Sequence, residues 1–400
     1  MRICLASIHP RLLSGQIDSL SGLARGLRDR GHEVALVSAF SEDDLLDERR
    51  AFSEAAEPGH LVPRLARLSR IWKGIESEAA RADVVQLNLP TPSFTPLANM
   101  LQRRIKAPLV VGFEAHLIGL GEVLAHGRLF TAPKFYLPRL LINNRGVARL
   151  GGFHAAHYVV AGGYQAAELL RVGVPFERVS AIPTLFDSAR LNGDSSEVPS
   201  NFPRQGPVIG YVGHFNHVKG VDVLVRSFSQ IQARIPTARL ALAWSGLGDA
   251  APVKKAIAES RLAEQIDILG RVSVSAMLSR CDLAVLPYRL TIGQAAYPGL
   301  VLEAMAVGVP LVTSDLPLLR ELVAGDELAS LARPDDPADL AEKAYQLLSN
   351  PEAGRRMVER QREAIRSRLD PTSLVERYEE LYAKVITAAV RGQTGVLRAA

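Results

Sequence analysis

Short, continuously apolar segments alternate with helix-length amphipathic segments along most of the chain, and this alternation restricts the fold more than any other feature. Five strand-length apolar segments occur in the first half: RICLAS, EVALVSA, DVVQLN, APLVVGF and HYVVAG. The segment DSLSGLARGLRDRG, between the first two, predicts a helix with one apolar face formed by Leu20, Leu23, Ala24 and Leu27. Continuously apolar strands separated by helices are typical of a parallel sheet covered on both faces. The sequence therefore predicts an α/β fold.

The alternation is interrupted once, by the polar stretch DSARLNGDSSEVPSNFPRQG at residues 187–206. Its Ser, Asn, Gly and Pro content is typical of a linker. The pattern then resumes with PVIGYVG, ARLALAWSG, QIDILG, DLAVLPY and VPLVTS. We therefore expect two doubly wound, Rossmann-like domains, at residues 1–186 and 207–370, facing each other across a cleft, a number that suits a 400-residue chain. Residues 371–400 predict a C-terminal helix, packed back toward the N-terminal domain, with a tail.

Charge and cysteine content exclude several classes of protein. The 47 basic and 42 acidic residues give a net charge of +5, and no nucleic-acid partner is expected at so mild an excess. Cys4 and Cys281 lie in or beside predicted strands, without a C-x-x-C motif or a His/Cys cluster, and indicate buried free thiols rather than a metal site. No apolar segment approaches the roughly 18 to 20 residues that span a bilayer, and MRICLAS lacks a signal-peptide layout. We expect a cytoplasmic protein.

Ligands of open parallel sheets bind beyond the carboxyl ends of the strands, so the loops that follow strands are candidate sites. After the first strand, Ser14 and Gly15 precede a helix expected to begin near Asp18, and the N–H groups of its first turn suit an anion or a sugar hydroxyl. After APLVVGF come Glu114 and His116. For Ser14 and Gly15 the alternative is an ordinary strand-to-helix turn, since no G-x-G-x-x-G is present. For His116 the alternative is a structural or solvated histidine.

The second half contains two further glycine-containing loops. In GHFNHVKGVDVL, Lys219 and Gly220 lie where the chain turns into a helix, and a lysine beside a helix amino terminus suits a phosphate. His214 lies in the same loop, and a solvated lysine is the alternative. In WSGLGDAAPVKKAI, the glycines Gly246 and Gly248 permit close approach of a ligand to the backbone of a strand-to-helix turn.

The segment YRLTIGQAAYPGLVLEAMAVGVPLV places one carboxylate, Glu303, in an apolar surrounding. The predicted helix begins near Gly299, and Glu303, one turn further, can point back toward the helix amino terminus. A carboxylate so placed can accept two hydrogen bonds from vicinal hydroxyls, as acidic residues do with ribose. The alternative is that Glu303 caps a helix or pairs with a basic residue.

The order of these motifs resembles that of the retaining family 4 glycosyltransferases, which have the GT-B fold. The stretch SGQIDSLSGLARGLRDRGHEVALVSA resembles their amino-terminal loop, helix and RGHEV strand. VGHFNHVKGVDVLVRSF resembles the family's VGRLxxxKGxDxLxxAF, and CDLAVLPY and LEAMAVGVPLVTSD resemble its most specific block. The resemblance covers most of the chain.

The resemblance implies a metal-independent enzyme without a cofactor, which transfers a sugar from a nucleotide-diphosphate sugar with retention of configuration. Glu303 would hold the ribose diol, Lys219 the diphosphate, and His116 the sugar or its leaving phosphate. The implied catalytic residues are thus His116, Lys219 and Glu303. The implied donor-binding residues are Gly15, His214, Lys219, Gly246, Arg271, Val272, Pro298, Gly299, Leu300, Val301 and Glu303.

Two positions depart from the family pattern. Ala295 stands where the family usually has a second glutamate, and His214 stands where it usually has arginine. We expect Gln294 or the backbone amides of residues 296–299 to replace the missing carboxylate. The departures leave two alternatives open: a catalytically inactive relative that binds a nucleotide sugar, and a sugar-nucleotide epimerase of the same fold. A measurement of donor turnover distinguishes them, because the inactive relative would bind the nucleotide sugar without converting it.

The first domain is expected to bind the acceptor, a glycan, a lipid-linked sugar or a small molecule. In HLVPRLARLSRIWKGI, basic residues lie between apolar residues at heptad-like spacing: Leu61, Leu65, Leu68, Trp72 and Ile75. Residues 128–149 contain five basic residues and no acidic one. Such segments suit peripheral contact with an anionic membrane, at its inner face. The alternative is a helix whose apolar side faces the protein core.

Overall fold

The computed structural model of the chain describes residues 1–8, 15–38, 61–113, 115, 117, 137, 145–185, 202, 205–270, 272–290 and 297–399. The chain divides into two compact units. The first consists mainly of Met1–Phe186 and Pro371–Ala400, and the second of Asp187–Thr291 and Tyr297–Asp370.

The first unit contains a six-stranded parallel sheet, as the apolar segments predict. Its strands are β1 (Arg2–Ser7), β2 (Glu33–Val37), β3 (Val84–Leu89), β4 (Leu109–Phe113), β5 (His157–Val160) and β6 (Val179–Ala181), in the order β2-β1-β3-β4-β5-β6. Every neighbouring pair is parallel. β4 and β5 are buried along their whole length, because helices cover both faces of the sheet.

Among the described residues of the first unit, the helices that precede the second unit are α1 (Gly15–Asp29), α2 (Leu61–Ala79), α3 (Thr95–Gln102), α4 (Arg145–Gly151) and α5 (Gly163–Arg171). The described part of α1 already includes Gly15, three residues before the predicted start near Asp18, so Gly15 lies in the helix rather than in a loop. In the described part of α2, Ile71 and Ile75 are buried and Trp72 packs against the same core. The membrane-facing interpretation of Trp72 and Ile75 is therefore wrong, because this side of the helix covers the sheet.

The second unit contains another six-stranded parallel sheet. Its strands are β7 (Val208–Phe215), β8 (Arg239–Gly248), β9 (Ile266–Leu269), β10 (Leu283–Leu286), β11 (Leu311–Ser314) and β12 (Ser330–Ala332), in the order β12-β11-β10-β7-β8-β9. All pairs are parallel. The order places β7 and β10 side by side although 67 residues separate the end of one from the start of the other in sequence. Their carboxyl ends therefore bring two distant loops together.

The helices of the second unit are α6 (Val221–Arg234), α7 (Ala251–Ser260), α8 (Val274–Leu278), α9 (Gly299–Val307), α10 (Pro317–Leu322), α11 (Pro337–Ser349) and α12 (Pro351–Arg368). α6 and α9 begin where the sequence predicts. The segment from Gly246 to Gly248 differs from the prediction, since it forms the end of β8 rather than a turn. β8 extends this far because Gly248 pairs with Phe215 after a register shift in β7. A Cβ on Gly248 would lie 2.2 Å from the Phe215 carbonyl oxygen, so only glycine fits here.

The last helix, α13 (Pro371–Ala399), packs on the first unit. Its apolar side joins β1 and α1 in one core through Leu374, Val375, Tyr378, Leu381, Tyr382 and Val385. Beneath it, the buried Tyr382 hydroxyl donates a 2.6 Å hydrogen bond to Oε1 of Gln86 on β3. Arg30 and His32 bind Glu379 at the edge of the same contact. α13 thus covers an apolar face of the sheet in the first unit.

We expect Tyr382→Phe to lower the free energy of unfolding by about 1–3 kcal/mol, because the buried Gln86 oxygen loses its donor. Urea unfolding followed by circular dichroism measures the change. Tyr378→Phe is the matched control one turn earlier, since the described residues record no hydrogen bond for the Tyr378 hydroxyl, and it should change stability far less. Equal effects of the two variants would contradict the role of this hydrogen bond.

Candidate functional site

The carboxyl edge of the second sheet, between β7 and β10, is where the candidate residues converge. The connection after β7 leads toward β8, whereas the connection after β10 leads toward β11 on the other side, so the two loops diverge. At such a point in an open parallel sheet the diverging loops leave a crevice, which is the usual place for a ligand. The loop after β7 carries Lys219, and the loop after β10 carries Tyr288 and leads toward α9.

The turn that carries Lys219 is held by local hydrogen bonds. The side chain of Asn216 accepts a hydrogen bond from the Lys219 N–H at 3.1 Å and caps a short 3-10 turn over His217–Lys219. Gly220, with φ of 65°, then starts α6. A Cβ on Gly220 would lie 2.0 Å from the carbonyl oxygen of Pro287, so a side chain is excluded. The turn therefore lies directly against the end of β10.

The ammonium group of Lys219 lies over an aromatic ring. Its Nζ is 4.6 Å from the centroid of Tyr288, a cation–π distance. Burial lowers the pKa of Lys219 from 10.5 to about 8, so the side chain is still mostly protonated at neutral pH. The ammonium group of Lys219 is therefore poorly hydrated, and a bound anion would stabilise its positive charge.

Glu303 is directed back along α9 toward the amino terminus of that helix, as predicted. A Cβ built on Gly299, one turn earlier, would lie 4.0 Å from Glu303 Oε1. The residue preceding the helix, Pro298, makes no side-chain cap. Burial and, secondarily, the charge of Glu303 raise the pKa of Tyr288, so the carboxylate and the phenol interact electrostatically. Lys219, Tyr288 and Glu303 therefore form one group, and we call it the edge cluster.

His214 lies at the end of β7, next to the end of β8. Its Nδ1 is 2.5 Å from the hydroxyl oxygen of Ser245, and its carbonyl accepts a hydrogen bond from the Tyr211 hydroxyl at 2.9 Å. Gly246 follows Ser245 in β8 with φ of 83°. The structure therefore brings His214 and Gly246 to adjacent strands of the same sheet edge.

The remaining predicted residues are distributed as follows. Val272 follows β9, at the far side of the same sheet. Pro298, Gly299, Leu300 and Val301 form the start of α9. Gly15 belongs to the first unit, at the start of α1 after β1. His116, Arg271, Gln294 and Ala295 lie outside the described residues.

Two residues of this edge were missed by sequence reasoning, Tyr288 and Arg289. Tyr288 is buried beneath Lys219, and its hydroxyl has no hydrogen-bond partner among the described residues. Arg289 is buried beside it and bonds to groups on both sides of Lys219. The signal was present in CDLAVLPYRL, since an arginine directly after an apolar strand needs buried partners.

The edge offers three kinds of group to one ligand: a lysine ammonium, the N–H groups at the start of α9, and the carboxylate of Glu303. The first two suit phosphate oxygens, and the third suits paired hydroxyls. Within the described ranges, no group of three or more His, Cys, Asp or Glu residues is arranged to hold a metal ion. No helix in these ranges is long and apolar enough to cross a membrane.

Comparison with known proteins gives matches along most of the chain. Residues 206–350 match the family model described as Glycosyl transferases group 1, and residues 14–184 match one described as Glycosyl transferase 4-like domain. A phosphatidyl-myo-inositol mannosyltransferase of Mycobacterium leprae is 25% identical over 380 residues, which cover 93% of each chain. An N-acetyl-alpha-D-glucosaminyl L-malate synthase of Bacillus anthracis is 27% identical over 181 residues, 45% of this chain and 46% of its own.

Two solved structures share the architecture of the whole chain. The Anabaena protein HepE, solved in complex with UDP-glucose, has a TM-score of 0.70 at 17% identity, over 96% of this chain and 100% of its own. Sucrose-phosphate synthase from Thermosynechococcus elongatus has a TM-score of 0.74 at 17% identity, over 97% of this chain and 100% of its own. At such identities the likeness shows the fold, which is GT-B.

Proposed function

This chain belongs to the group 1 glycosyltransferases of GT-B fold, and on that premise we propose that it transfers a sugar from a nucleoside-diphosphate sugar to a hydroxyl acceptor, with retention and without a bound metal. The observation that carries the donor assignment is the edge cluster at the crevice between β7 and β10. HepE, a structural neighbour, was solved with UDP and with UDP-glucose.

In this proposal the two charged members of the edge cluster have different tasks. The Lys219 ammonium and the N–H groups at the start of α9 bind the diphosphate and stabilise the charge that grows on it as the sugar leaves. Glu303 accepts hydrogen bonds from the two ribose hydroxyls and so sets the position of the diphosphate relative to Lys219. The bond between the anomeric carbon and the phosphate oxygen breaks, its electron pair stays on the phosphate, and the acceptor oxygen bonds to the same face of that carbon. The acceptor proton passes to the departing phosphate.

Thermal unfolding in the presence of UDP-, GDP-, ADP- and TDP-sugars tests the donor assignment. A donor present at a hundred times its Kd should stabilise the protein by about 2.7 kcal/mol. No shift with any of the four would overturn the proposal. A shift without transfer or hydrolysis of a radiolabelled donor would identify an inactive binding relative, the alternative that Ala295 and His214 raise, and interconversion of the free donor would identify an epimerase.

For the acceptor we propose a lipid-linked sugar or a glycan at the inner face of an anionic membrane. Several large apolar side chains of the first unit are exposed on α3, α4, α5 and the turn after α5: Met100, Val147, Leu150, Leu170 and Phe176. Leu150 is 90% exposed and Phe176 79% exposed. We call these five residues the apolar patch. The mannosyltransferase relatives are named for a phosphatidyl-myo-inositol acceptor, which is a lipid.

The elements that carry the apolar patch are joined to one another and are basic. Asn99 of α3 donates to the carbonyl of Gly151 at the end of α4, and Arg145 of α4 pairs with Glu168 of α5 at 2.6 Å. Segments 92–113 and 145–185 contain seven Lys or Arg residues and two acidic residues. One of the acids, Glu168, is buried between Arg145 and Arg171. Exposed apolar side chains on elements with an excess of basic residues suit the surface of an anionic bilayer.

We expect the protein to bind vesicles of phosphatidylglycerol, to bind phosphatidylcholine vesicles weakly, and to dissociate as salt is raised. Co-sedimentation measures the bound fraction. Leu150→Ser with Phe176→Ser should reduce binding at least fivefold, since two exposed apolar side chains are lost. Val390→Ser, at a 55% exposed position of α13, is the matched control and should bind like the natural protein. Equal binding by the double variant and the natural protein would exclude this surface.

A further inference from the structure

Arg289, just after the carboxyl end of β10, makes several buried polar contacts, although the proposed transfer mechanism gives it no role. Its side chain is almost fully buried. Nη1 and Nη2 donate to the two carboxylate oxygens of Asp222 at 2.8 and 2.6 Å, and Nε donates to Asp335 Oδ1 at 2.7 Å. Nη1 also donates to the carbonyl oxygen of His217 at 3.0 Å. A guanidinium so completely bonded is fixed in position.

The partners of Arg289 lie on both sides of Lys219. His217 is two residues before it, in the same 3-10 turn, and Asp222 is three residues after it, in the first turn of α6. The backbone N–H of Arg289 also donates to the carbonyl of Val218, at 2.8 Å. The whole turn that carries Lys219 is therefore bonded to one residue of the neighbouring strand end.

Tyr288, the residue before Arg289, contacts the other end of the lysine. Its ring lies 4.6 Å from Nζ, whereas Arg289 holds the backbone from which that side chain starts. A long, flexible side chain with a fixed base and a supported head group has few conformations left. Neither Tyr288 nor Arg289 needs to touch the donor for this effect.

We propose that Tyr288 and Arg289 are positioning residues, which hold the turn and the ammonium of Lys219 in the place where the diphosphate binds. The proposal rests on the proposed function for the identity of the ligand. The lowered pKa of Lys219 agrees with a head group held in a buried position. Lysine cannot replace Arg289, because a single ammonium cannot reach Asp222, Asp335 and the His217 carbonyl together in a planar fork.

Binding of UDP to Arg289→Lys, measured by calorimetry in two backgrounds, tests the proposal. In the natural background we expect a loss of affinity of about tenfold. In a Lys219→Gln background the same substitution should change affinity less than twofold, because Arg289 acts through Lys219. Tyr288→Leu should behave in the same way, and Tyr288→Phe, which keeps the ring, should restore binding. An equal loss in both backgrounds would overturn the proposal, since it would show a general effect on the fold.

Arg226→Lys is the matched control. Arg226 binds the same carboxylate, Asp222, at 2.9 Å, but it lies one turn further along α6 and its side chain is half exposed. Its substitution should leave UDP affinity unchanged. A loss like that of Arg289→Lys would mean that any change in the hydrogen bonding of Asp222 weakens UDP binding, whatever happens to the turn, and would contradict the proposal.

A second readout does not depend on a donor. Competitive acetylation of Lys219, followed by mass spectrometry across pH, reports the protonation of this one amine. In the natural protein its reactivity should rise with a midpoint near pH 8. In Arg289→Lys, which keeps the positive charge, the midpoint should move upward as the turn loosens and the ammonium is hydrated. If the natural protein does not bind UDP but the midpoint moves, the proposed function fails and the positioning role stands. An unchanged midpoint would remove the positioning role.

Discussion

Replacing Glu303 by glutamine is expected to lower kcat/KM for the donor by two to four orders of magnitude. In the proposed function the carboxylate accepts hydrogen bonds from two ribose hydroxyls, and each charge-assisted hydrogen bond contributes about 1.5–3 kcal/mol. Glutamine keeps the size of the side chain but presents one neutral oxygen and one donor. The expectation rests on the direction of Glu303, which points toward the start of α9, where the proposed ligand binds.

Initial rates at varied donor concentration measure the effect of Glu303→Gln, and thermal unfolding of the ligand-free variant is its control. If Glu303 were mainly the partner of a basic residue in the fold, the ligand-free variant would lose stability in proportion to its activity. We expect its unfolding temperature to change little. Glu359→Gln, on the exposed side of α12, should leave both rate and stability unchanged.

Replacing Lys219 by methionine is expected to lower kcat by about two to three orders of magnitude and, at the same time, to stabilise the ligand-free protein. The loss of rate follows from removal of the cation that faces the leaving diphosphate, an electrostatic contribution of about 3–4 kcal/mol. The gain in stability follows from burial. A pKa lowered from 10.5 to about 8 corresponds to roughly 3 kcal/mol against folding at neutral pH.

The pH dependence of stability tests whether the buried charge of Lys219 destabilises the folded protein. Because the folded protein binds the Lys219 proton less tightly than the unfolded chain, the penalty is complete below pH 8 and disappears as pH rises from about 8 toward 10.5. Urea unfolding of the natural protein and of Lys219→Met should therefore differ most at pH 7 and converge above pH 10. A constant difference across this range would contradict the burial of a charged lysine.

Local sequence patterns were sufficient to predict most of the strands and helices and some residues of the candidate site. The continuous apolar strands and intervening helices predicted both parallel sheets, since a strand buried on two faces is mostly apolar. VKGVDVL predicted the start of α6, and the position of Glu303 one turn into α9 predicted its direction. These features depend on hydrogen bonds and packing within a few residues, so the local pattern contains them.

Other features depended on contacts between distant segments. The extension of β8 through Gly248 requires its pairing with Phe215 in β7, and the burial of Ile75 requires the sheet beneath α2. CDLAVLPYRL places Tyr288 and Arg289 directly after an apolar strand, but only the position of β10 beside β7 brings them to Lys219.

The sequence by itself determined that this chain forms two parallel α/β units and that a lysine and a glutamate follow strands where a donor can bind. Only the tertiary structure decided how they are held: by the ring of Tyr288 and the guanidinium of Arg289. The reason is physical. The order of strands in a sheet is set by packing over the whole unit, and no local pattern near Lys219 specifies that its neighbour is a strand end more than 60 residues away.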